Sequence, residues 1–124
     1  MKEIPKISEA EWEVLRVLWE KETCTASNVI EALANNTSWK PTTIKTLLAR
    51  LVKKKVVGFR EVDRTYSYFP LVTQAECTRV ENRSFLQRVY GGALKPMLVQ
   101  FIRDEKLTAE DIEELKRLLD ERSE

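Results

Sequence analysis

The sequence predicts a mostly α-helical protein with one small β-hairpin, in the order three helices, hairpin, three helices. Apolar residues recur at helical spacing through most of the chain, and capping residues precede several of these stretches. β-Forming residues alternate with polar ones in one place, between residues 56 and 71. A chain of 124 residues is one ordinary domain or a small domain with an appendage, so we expect a modest core.

The first three predicted helices each carry a recognisable start. Ser8 and Glu11 form the S-x-x-E pattern of a capping box, before an apolar series that extends to about residue 21. Thr25 is the expected N-cap of a shorter second helix. Pro41 suits the first turn of a third helix, because its missing N–H costs nothing there.

The predicted hairpin consists of the segments VVGFREV and TYSYFPL on either side of Asp63 and Arg64. Three short helices followed by a hairpin form the winged helix-turn-helix arrangement, in which the third helix enters the major groove of DNA. We therefore predict a winged helix-turn-helix domain over residues 1–72. The hairpin is the wing of this domain.

The remaining residues, 73–124, are predicted to form a separate region of three helices. Thr73 starts the first of them with another capping pattern, and Gly91-Gly92 interrupt it. A second helix is expected from Ala93 to Arg103, and a third begins at about Thr108. The third carries an apolar stripe at helical spacing, which indicates that one side of it packs against another surface.

Basic residues concentrate around the third helix and the hairpin, although the net charge of the whole chain is only +1. Between Lys40 and Arg64 the sequence has eight basic residues and only two acidic ones, Glu61 and Asp63. The acidic residues gather near the start of the chain and between residues 104 and 124. The distribution of charge matters more than its sum for attraction to DNA, so this region is the candidate binding surface.

The third predicted helix carries residue types that contact DNA. Short hydroxyls and an amine near its start can reach base edges or phosphates, and Arg50 can donate two parallel hydrogen bonds to a guanine. The basic residues at its end and at the hairpin tip suit the DNA backbone, although Lys53–Lys55 alone fit a solvated helix face equally well. Trp39 either packs as a staple or leans against the backbone. The candidate DNA-binding residues are Trp39, Thr42, Thr43, Lys45, Thr46, Arg50, Lys53, Lys54 and Arg64.

The composition gives no support for catalysis, a cofactor or a bound metal. Histidine is absent, which excludes Ser–His and Cys–His nucleophiles, and the three glycines have no phosphate-loop spacing. Cys24 and Cys77 lack the clustered ligands of a zinc site and suit reduced thiols of an intracellular protein. No segment resembles a signal peptide or a bilayer span, so we expect a cytoplasmic protein without membrane insertion.

Five segments of the chain, taken in order, resemble one known family. They are ISEAEWEVLRVLWE, WKPTTIKTLLARLVKKKVV, TYSYFPLV, SFLQRVYGG and LTAEDIEELKRLLDE. The family is that of the penicillinase repressors, of the BlaI/MecI type, and the resemblance covers nearly the whole chain. Its most specific part is the pattern W-x-P-x-T-I-x-T-L-x-x-R-L, which extends well beyond a generic helix-turn-helix match.

The resemblance implies a homodimeric repressor that binds an inverted-repeat operator in double-stranded DNA and controls a beta-lactam resistance or related operon. Thr43, Lys45, Thr46 and Arg50 would contact the operator, with Thr42 beside them. The C-terminal helices would interlock across a two-fold axis. The residues expected at this dimer interface are Phe85, Leu86, Val89, Leu98, Ile112, Leu115 and Leu119.

The resemblance also implies derepression by proteolysis, through a protease linked to a membrane-bound sensor. The matching cleavage site is the Gln100–Phe101 bond, for which plain core packing is the alternative interpretation. Lys40 stands where a Ser commonly caps the third helix, so we expect weaker capping there. Two other functions stay open: a repressor of the same architecture that answers another signal, and a winged-helix module that binds a protein.

Overall fold

The computed structural model describes residues 3–123. Within that range the chain forms six helices and three short strands, which matches the predicted mostly α-helical class with a β wing. In chain order the elements are α1 (Glu9–Lys21), β1 (Cys24–Thr25), α2 (Ala26–Leu33), α3 (Pro41–Lys53), β2 (Val57–Val62), β3 (Thr65–Pro70), α4 (Gln74–Tyr90), α5 (Leu94–Asp104) and α6 (Ala109–Arg122).

The chain divides into two compact units, the first ending at Glu81 and the second beginning at Asn82. The sequence places the domain boundary between residues 72 and 73, at the end of the hairpin. The first unit extends further because Cys77, on the first half of α4, is buried in the same core as Val72. Helix α4 therefore contributes its first turns to the winged domain.

Helix α1 begins with the predicted capping box. The backbone N–H of Glu11 donates to the Ser8 hydroxyl oxygen at 3.1 Å, and the N–H of Ser8 donates to the Glu11 carboxylate at 2.8 Å. These two bonds satisfy N–H groups that the helix itself leaves without partners. The same reciprocal arrangement begins three further helices, at Thr25, Thr73 and Thr108.

The core of the first unit is a single apolar cluster enclosed by its first three helices and the sheet. The inward faces of the helices follow the predicted helical spacing, and the start of β2 and Val72 complete the cluster. The indole N–H of Trp19 donates to the carbonyl of Val72 at 2.9 Å, which ties α1 to the segment after the hairpin. The most deeply buried core residues include Val14, Leu15, Leu18, Val29, Ile44, Leu48, Leu51, Val56 and Val57.

Strands β2 and β3 form the predicted hairpin, with Val62 paired to Thr65. Asp63 and Arg64 form the two-residue turn, and their φ angles are 52° and 65°. Positive φ at both central residues is the type I′ geometry, whose twist matches that of the flanking strands. The turn therefore projects Arg64 at the tip of the wing, in a conformation that glycine adopts more readily.

Strand β1 is an element that the sequence analysis did not predict. It consists of Cys24 and Thr25, pairs with β3 in antiparallel fashion, and gives the sheet the order β1-β3-β2. Cys24 lies opposite Tyr68. Two residues are too few for an alternating pattern to show in the sequence.

The second unit consists of the end of α4 with α5 and α6. Gly91 and Gly92, with φ of 59° and 89°, end α4 as predicted. Helix α5 begins and ends one residue later than predicted, with Ala93 as its N-cap. Among the described residues of this unit none is buried. Within residues 3–123, no helix is both long enough and apolar enough to cross a bilayer.

Candidate nucleic-acid interface

Helix α3 has one buried and one exposed side. Ile44, Leu47, Leu48 and Leu51 anchor it in the core, where each is at least 96% buried. Because side chains three and four positions apart share a face, most of the remaining residues point away from the core, whereas Val52 packs against its edge. They form the exposed α3 face, which consists of Thr42, Thr43, Lys45, Thr46, Ala49, Arg50 and Lys53.

The charged groups of this face are free to meet a partner. The side chains of Lys45, Arg50 and Lys53 are exposed and make no hydrogen bond or ion pair with any described residue. The hydroxyl of Thr46, in contrast, donates to the carbonyl of Thr42 at 2.9 Å. Its oxygen keeps lone pairs for an incoming donor, so Thr46 suits an acceptor role in base recognition.

The start of α3 is not closed by a side chain. Lys40 is the N-cap and its side chain makes no capping hydrogen bond, in agreement with the weaker capping that we expected. Pro41 occupies the first turn, which contains no acidic residue. Neither the cap nor the first turn therefore supplies a negative charge to the positive end of the helix dipole, which suits the approach of a phosphate.

Trp39 lies just before α3 and packs against the core while keeping part of its surface exposed. Of the two roles expected for it, the structure therefore contains the packing contact. Trp12 and Trp19 also pack against the core and meet edge to face, with ring centroids 5.5 Å apart.

Lys54, for which the sequence predicts a contact with the DNA backbone, has two partners within the protein. Its ammonium contacts the Glu11 carboxylate at 2.6 Å and donates to the backbone carbonyl of Lys6 at 2.8 Å. Both contacts lie within the first unit, so this ammonium is not presented with the exposed α3 face. The Glu11 partner could not be predicted from the sequence, because helical periodicity does not show which residue of a distant helix lies opposite Lys54.

Glu11 is the only described residue that is both charged and buried, with 1% of its surface exposed. Burial raises the pKa of its carboxyl, but the hydrogen bonds from Lys54 and Ser8 outweigh burial and hold the pKa below its usual value. Glu11 is therefore ionised at neutral pH and needs the positive charge of Lys54.

The wing presents charged and aromatic side chains. Arg64 is exposed at the turn, and the guanidinium of Arg60 lies over the ring of Phe69, 5.3 Å from its centre. On the other side of the hairpin, Phe59 and Tyr66 meet edge to face with ring centroids 5.1 Å apart. These aromatic contacts thus pack side chains on both faces of the hairpin that carries Arg64.

The second unit exposes many large apolar side chains. Five of the seven residues expected to dimerise are exposed, while Phe85 and Leu86 are partly buried. Leu94, Val99, Ile102 and Leu118 are exposed as well, although they are not among the predicted dimerisation residues; the helical spacing on α5 and α6 could have indicated them. The exposed C-terminal apolar residues are Val89, Leu94, Leu98, Val99, Phe101, Ile102, Ile112, Leu115, Leu118 and Leu119.

Gln100 and Phe101 lie within helix α5. The side-chain amide of Gln100 donates to the carboxylate of Asp104 at 2.7 Å, one helical turn further on. The ring of Phe101 stacks on Phe85 at 6.2 Å between centroids, yet 44% of Phe101 remains exposed. The bond between the two residues is thus in regular helix, beside exposed apolar surface.

The family model described as penicillinase repressor matches residues 7–121. The chain belongs to the penicillinase-repressor family. It is 37% identical over 121 residues to the penicillinase repressor of Bacillus licheniformis, and the aligned region covers 98% of this chain and 94% of that protein. It is 32% identical over 117 residues to the methicillin resistance regulatory protein MecI of Staphylococcus aureus strain N315, covering 94% and 95% of the two chains.

A solved structure extends this relationship to DNA. The monomeric form of Bacillus licheniformis BlaI in complex with the blaP half-operator matches this structure with a TM-score of 0.54 and 37% identity. The match covers 61% of this chain and 93% of that one. As a penicillinase-repressor family member, the chain is a transcriptional repressor that binds DNA, and it is not an enzyme.

Proposed function

We propose that this chain acts in the cytoplasm as a homodimer on an inverted-repeat operator in double-stranded DNA. In each half-site the exposed α3 face would lie in the major groove. The operon would be one for beta-lactam resistance or a related function, and proteolysis in the C-terminal region would relieve repression. The observation that carries the proposal is the exposed polar and basic face of α3. The domain that presents it is 37% identical in sequence to BlaI in its complex with a half-operator.

The chemistry of the exposed α3 face supports a division of roles. Arg50, one of its free cations, suits a guanine edge, where two parallel hydrogen bonds distinguish it from other bases. Thr43, Lys45 and Thr46 suit base edges and phosphates near the start of the helix. Lys53, the last residue of α3, and Arg64, in the hairpin turn, suit phosphates and would add affinity without sequence preference.

The exposed C-terminal apolar residues support the homodimer. A monomer rarely leaves so many large apolar side chains in water, and a second copy is the ordinary way to cover them. Leu119, 62% exposed, would gain most from such burial. Two half-sites bound by one dimer share a single entropic cost of association, which makes the dimer bind far more tightly than its halves.

The position of the Gln100–Phe101 bond supports inactivation by a sensor-linked protease. A cut in α5 would separate α6, with Ile112, Leu115 and Leu119, from the DNA-binding unit. The dimer would then lose much of its apolar contact, and each half would bind its half-site alone. Because the bond lies in regular helix, the protease would need α5 to unwind locally before cleavage.

A gel-shift titration of the full-length protein against the DNA upstream of its own gene tests the proposal. Non-specific duplex DNA serves as competitor, and the stoichiometry of the shifted band is measured. We expect a discrete band that survives the competitor and contains two chains. Arg50→Ala is expected to lose sequence preference, whereas Lys53→Ala weakens all sequences about equally.

Binding to that DNA no tighter than to the competitor would contradict its role as this protein's operator. Selection from a pool of random duplexes then tests whether the protein is a sequence-specific repressor, because such a repressor binds and enriches a particular sequence from the pool. Failure to enrich any sequence would favour the winged-helix module that binds a protein.

A further inference from the structure

The Glu11–Lys54 pair joins the start of α1 to the end of α3. The two residues are 43 positions apart in the chain, and their charged atoms are 2.6 Å apart. The ammonium of Lys54 also donates to the carbonyl of Lys6, so one cation holds three segments together. Its side chain is 32% exposed, whereas that of Glu11 is 2% exposed.

Lys54 is the C-cap of α3, and its backbone holds the last helical turn. Its N–H donates to the carbonyl of Arg50 at 2.9 Å. The following two residues complete a Schellman motif, in which Lys55 donates to Val52 at 2.9 Å and Val56 donates to Leu51 at 3.2 Å. Lys54 is therefore bonded through its backbone to Arg50, in the last turn of α3, and through its side chain to Glu11.

Lys55, the residue after Lys54, has a φ of 65°. Glycine is the usual residue at this position of a Schellman motif, because a side chain disfavours the left-handed conformation. The local sequence thus opposes the helix end that the structure adopts. Contacts from outside the helix must hold it, and the buried Val56 and the Lys54–Glu11 pair provide them.

The charge of Glu11 depends on Lys54. One carboxylate oxygen receives Lys54 and the N–H of Ser8, while the other is buried and accepts no hydrogen bond within the described residues. A buried carboxylate without a counter-charge is strongly disfavoured. Among the described residues Lys54 is the cation that pairs with Glu11, so this ion pair links α1 to the end of α3.

We propose that Glu11 and Lys54 are positioning residues for operator recognition: their ion pair sets the orientation of the last turn of α3, and Lys54 does not itself contact phosphate. The inference rests on the proposed function and adds to it. Lys53, the neighbouring exposed lysine on α3, is the matched control because it has the same charge but no hydrogen bond or ion pair with any residue between 3 and 123. The two lysines should therefore affect DNA binding in different ways.

The test compares full-length wild type, Lys54→Met, Lys54→Arg, Lys53→Met and the double variant Glu11→Gln/Lys54→Met. Affinities for the duplex upstream of the gene and for a scrambled duplex are measured over a range of salt concentrations. The temperature is chosen so that circular dichroism shows every variant folded. If Lys54→Met does not fold, the double variant carries the test, because it leaves no unpaired buried charge.

We expect Lys54→Met, or the double variant, to bind the operator about tenfold more weakly, as for the loss of one well-placed base contact. Affinity for the scrambled duplex and the slope of log affinity against log salt should stay unchanged. Lys54→Arg should restore specific binding, since Arg can also pair with a carboxylate. Lys53→Met should weaken both duplexes and reduce the salt slope by about 1.

A reduced salt slope for Lys54→Met would overturn the inference, because it would place the ammonium on a phosphate. Unchanged operator affinity in the double variant would also overturn it, since the pair would then serve stability alone. In both cases wild type still binds its operator, so the proposed function stands. Wild type that distinguishes neither this duplex nor any selected one would overturn the proposed function and the inference together.

Discussion

The two units of the chain bury their apolar residues to very different degrees. In the first unit, α1, α2, α3 and the sheet enclose a cluster in which Leu15, Leu18, Leu48 and Leu51 have no exposed surface. In the described part of the second unit, no residue is buried. The first unit can thus reach a folded state on its own contacts, whereas the second has apolar residues without a core to receive them.

The difference in burial suits the two units to different roles, DNA recognition in the first and association in the second. A preformed first unit presents α3 with its orientation fixed, which favours selective recognition. In the proposed dimer, a second chain would cover the exposed apolar residues of the second unit, so this unit would become stable on association. A regulator that is switched by loss of dimerisation needs this combination, since the DNA-reading unit survives the event that ends tight binding.

The largest expected effect comes from charging the C-terminal apolar residues. In Leu115→Glu/Leu119→Glu, two carboxylates would have to be buried in the proposed dimer interface. We expect monomers in sedimentation, and a loss of about 100-fold or more in affinity for the full operator because avidity is removed. Affinity for a single half-site should not change.

Glu113→Gln/Glu121→Gln, on the same helix but outside this apolar set, is the control for altered charge on α6 and should leave dimer and affinity intact. Monomeric wild type with full operator affinity would break the comparison between the units, because the second unit would then need no partner.

A cavity in the first unit is expected to have the next largest effect. Leu48→Ala removes a side chain with no exposed surface from the anchored side of α3. We expect it to lower the free energy of unfolding by about 2–5 kcal/mol, independently of protein concentration. Leu118→Ala, at a half-exposed position of α6, should be destabilising only under conditions where the dimer forms.

Urea unfolding at two protein concentrations distinguishes these cases. If the loss of unfolding free energy in Leu48→Ala varied with protein concentration, the stability of the first unit would also depend on association with a second chain.

Acid provides a third test, and it acts on the first unit through Glu11. The pKa of its carboxyl lies below the usual 4.5 in the folded state, so ionisation favours folding. The stabilisation is therefore complete at pH values above 4.5 and disappears as the pH falls through the lower folded pKa. Between pH 7 and pH 3, wild type should lose more stability than Glu11→Gln, as measured by urea unfolding. Equal losses would mean that Lys54 does not stabilise the charged form.

Local signals in the sequence predicted much of this architecture. The capping residues Ser8, Thr25, Thr73 and Thr108 mark helix starts because their bonds reach only three positions along the chain. The exposed α3 face followed from helical spacing for the same reason. Neither β1 nor the Glu11–Lys54 pair could be predicted in this way, because their partners are set by how distant elements pack.

The smallest expected effect concerns Arg64 at the wing tip, and it separates stability from function within the first unit. Arg64 has a φ of 65° in a type I′ turn, a conformation that costs a non-glycine residue about 1 kcal/mol. Arg64→Gly should therefore raise the free energy of unfolding by up to about 1 kcal/mol. The same variant should bind DNA more weakly and with a smaller salt slope, because one phosphate contact is lost.

Asp63→Asn is the control for the turn itself. Asn also accepts positive φ, and this variant keeps Arg64, so DNA affinity should hold or rise as a negative charge is removed. Weaker binding by Asp63→Asn would mean that turn geometry, and not the Arg64 charge, governs the wing. The Arg64→Gly variant could instead be more stable than wild type and bind DNA with the same affinity. The arginine side chain at the wing tip would then have no role in binding that offsets its unfavourable backbone conformation.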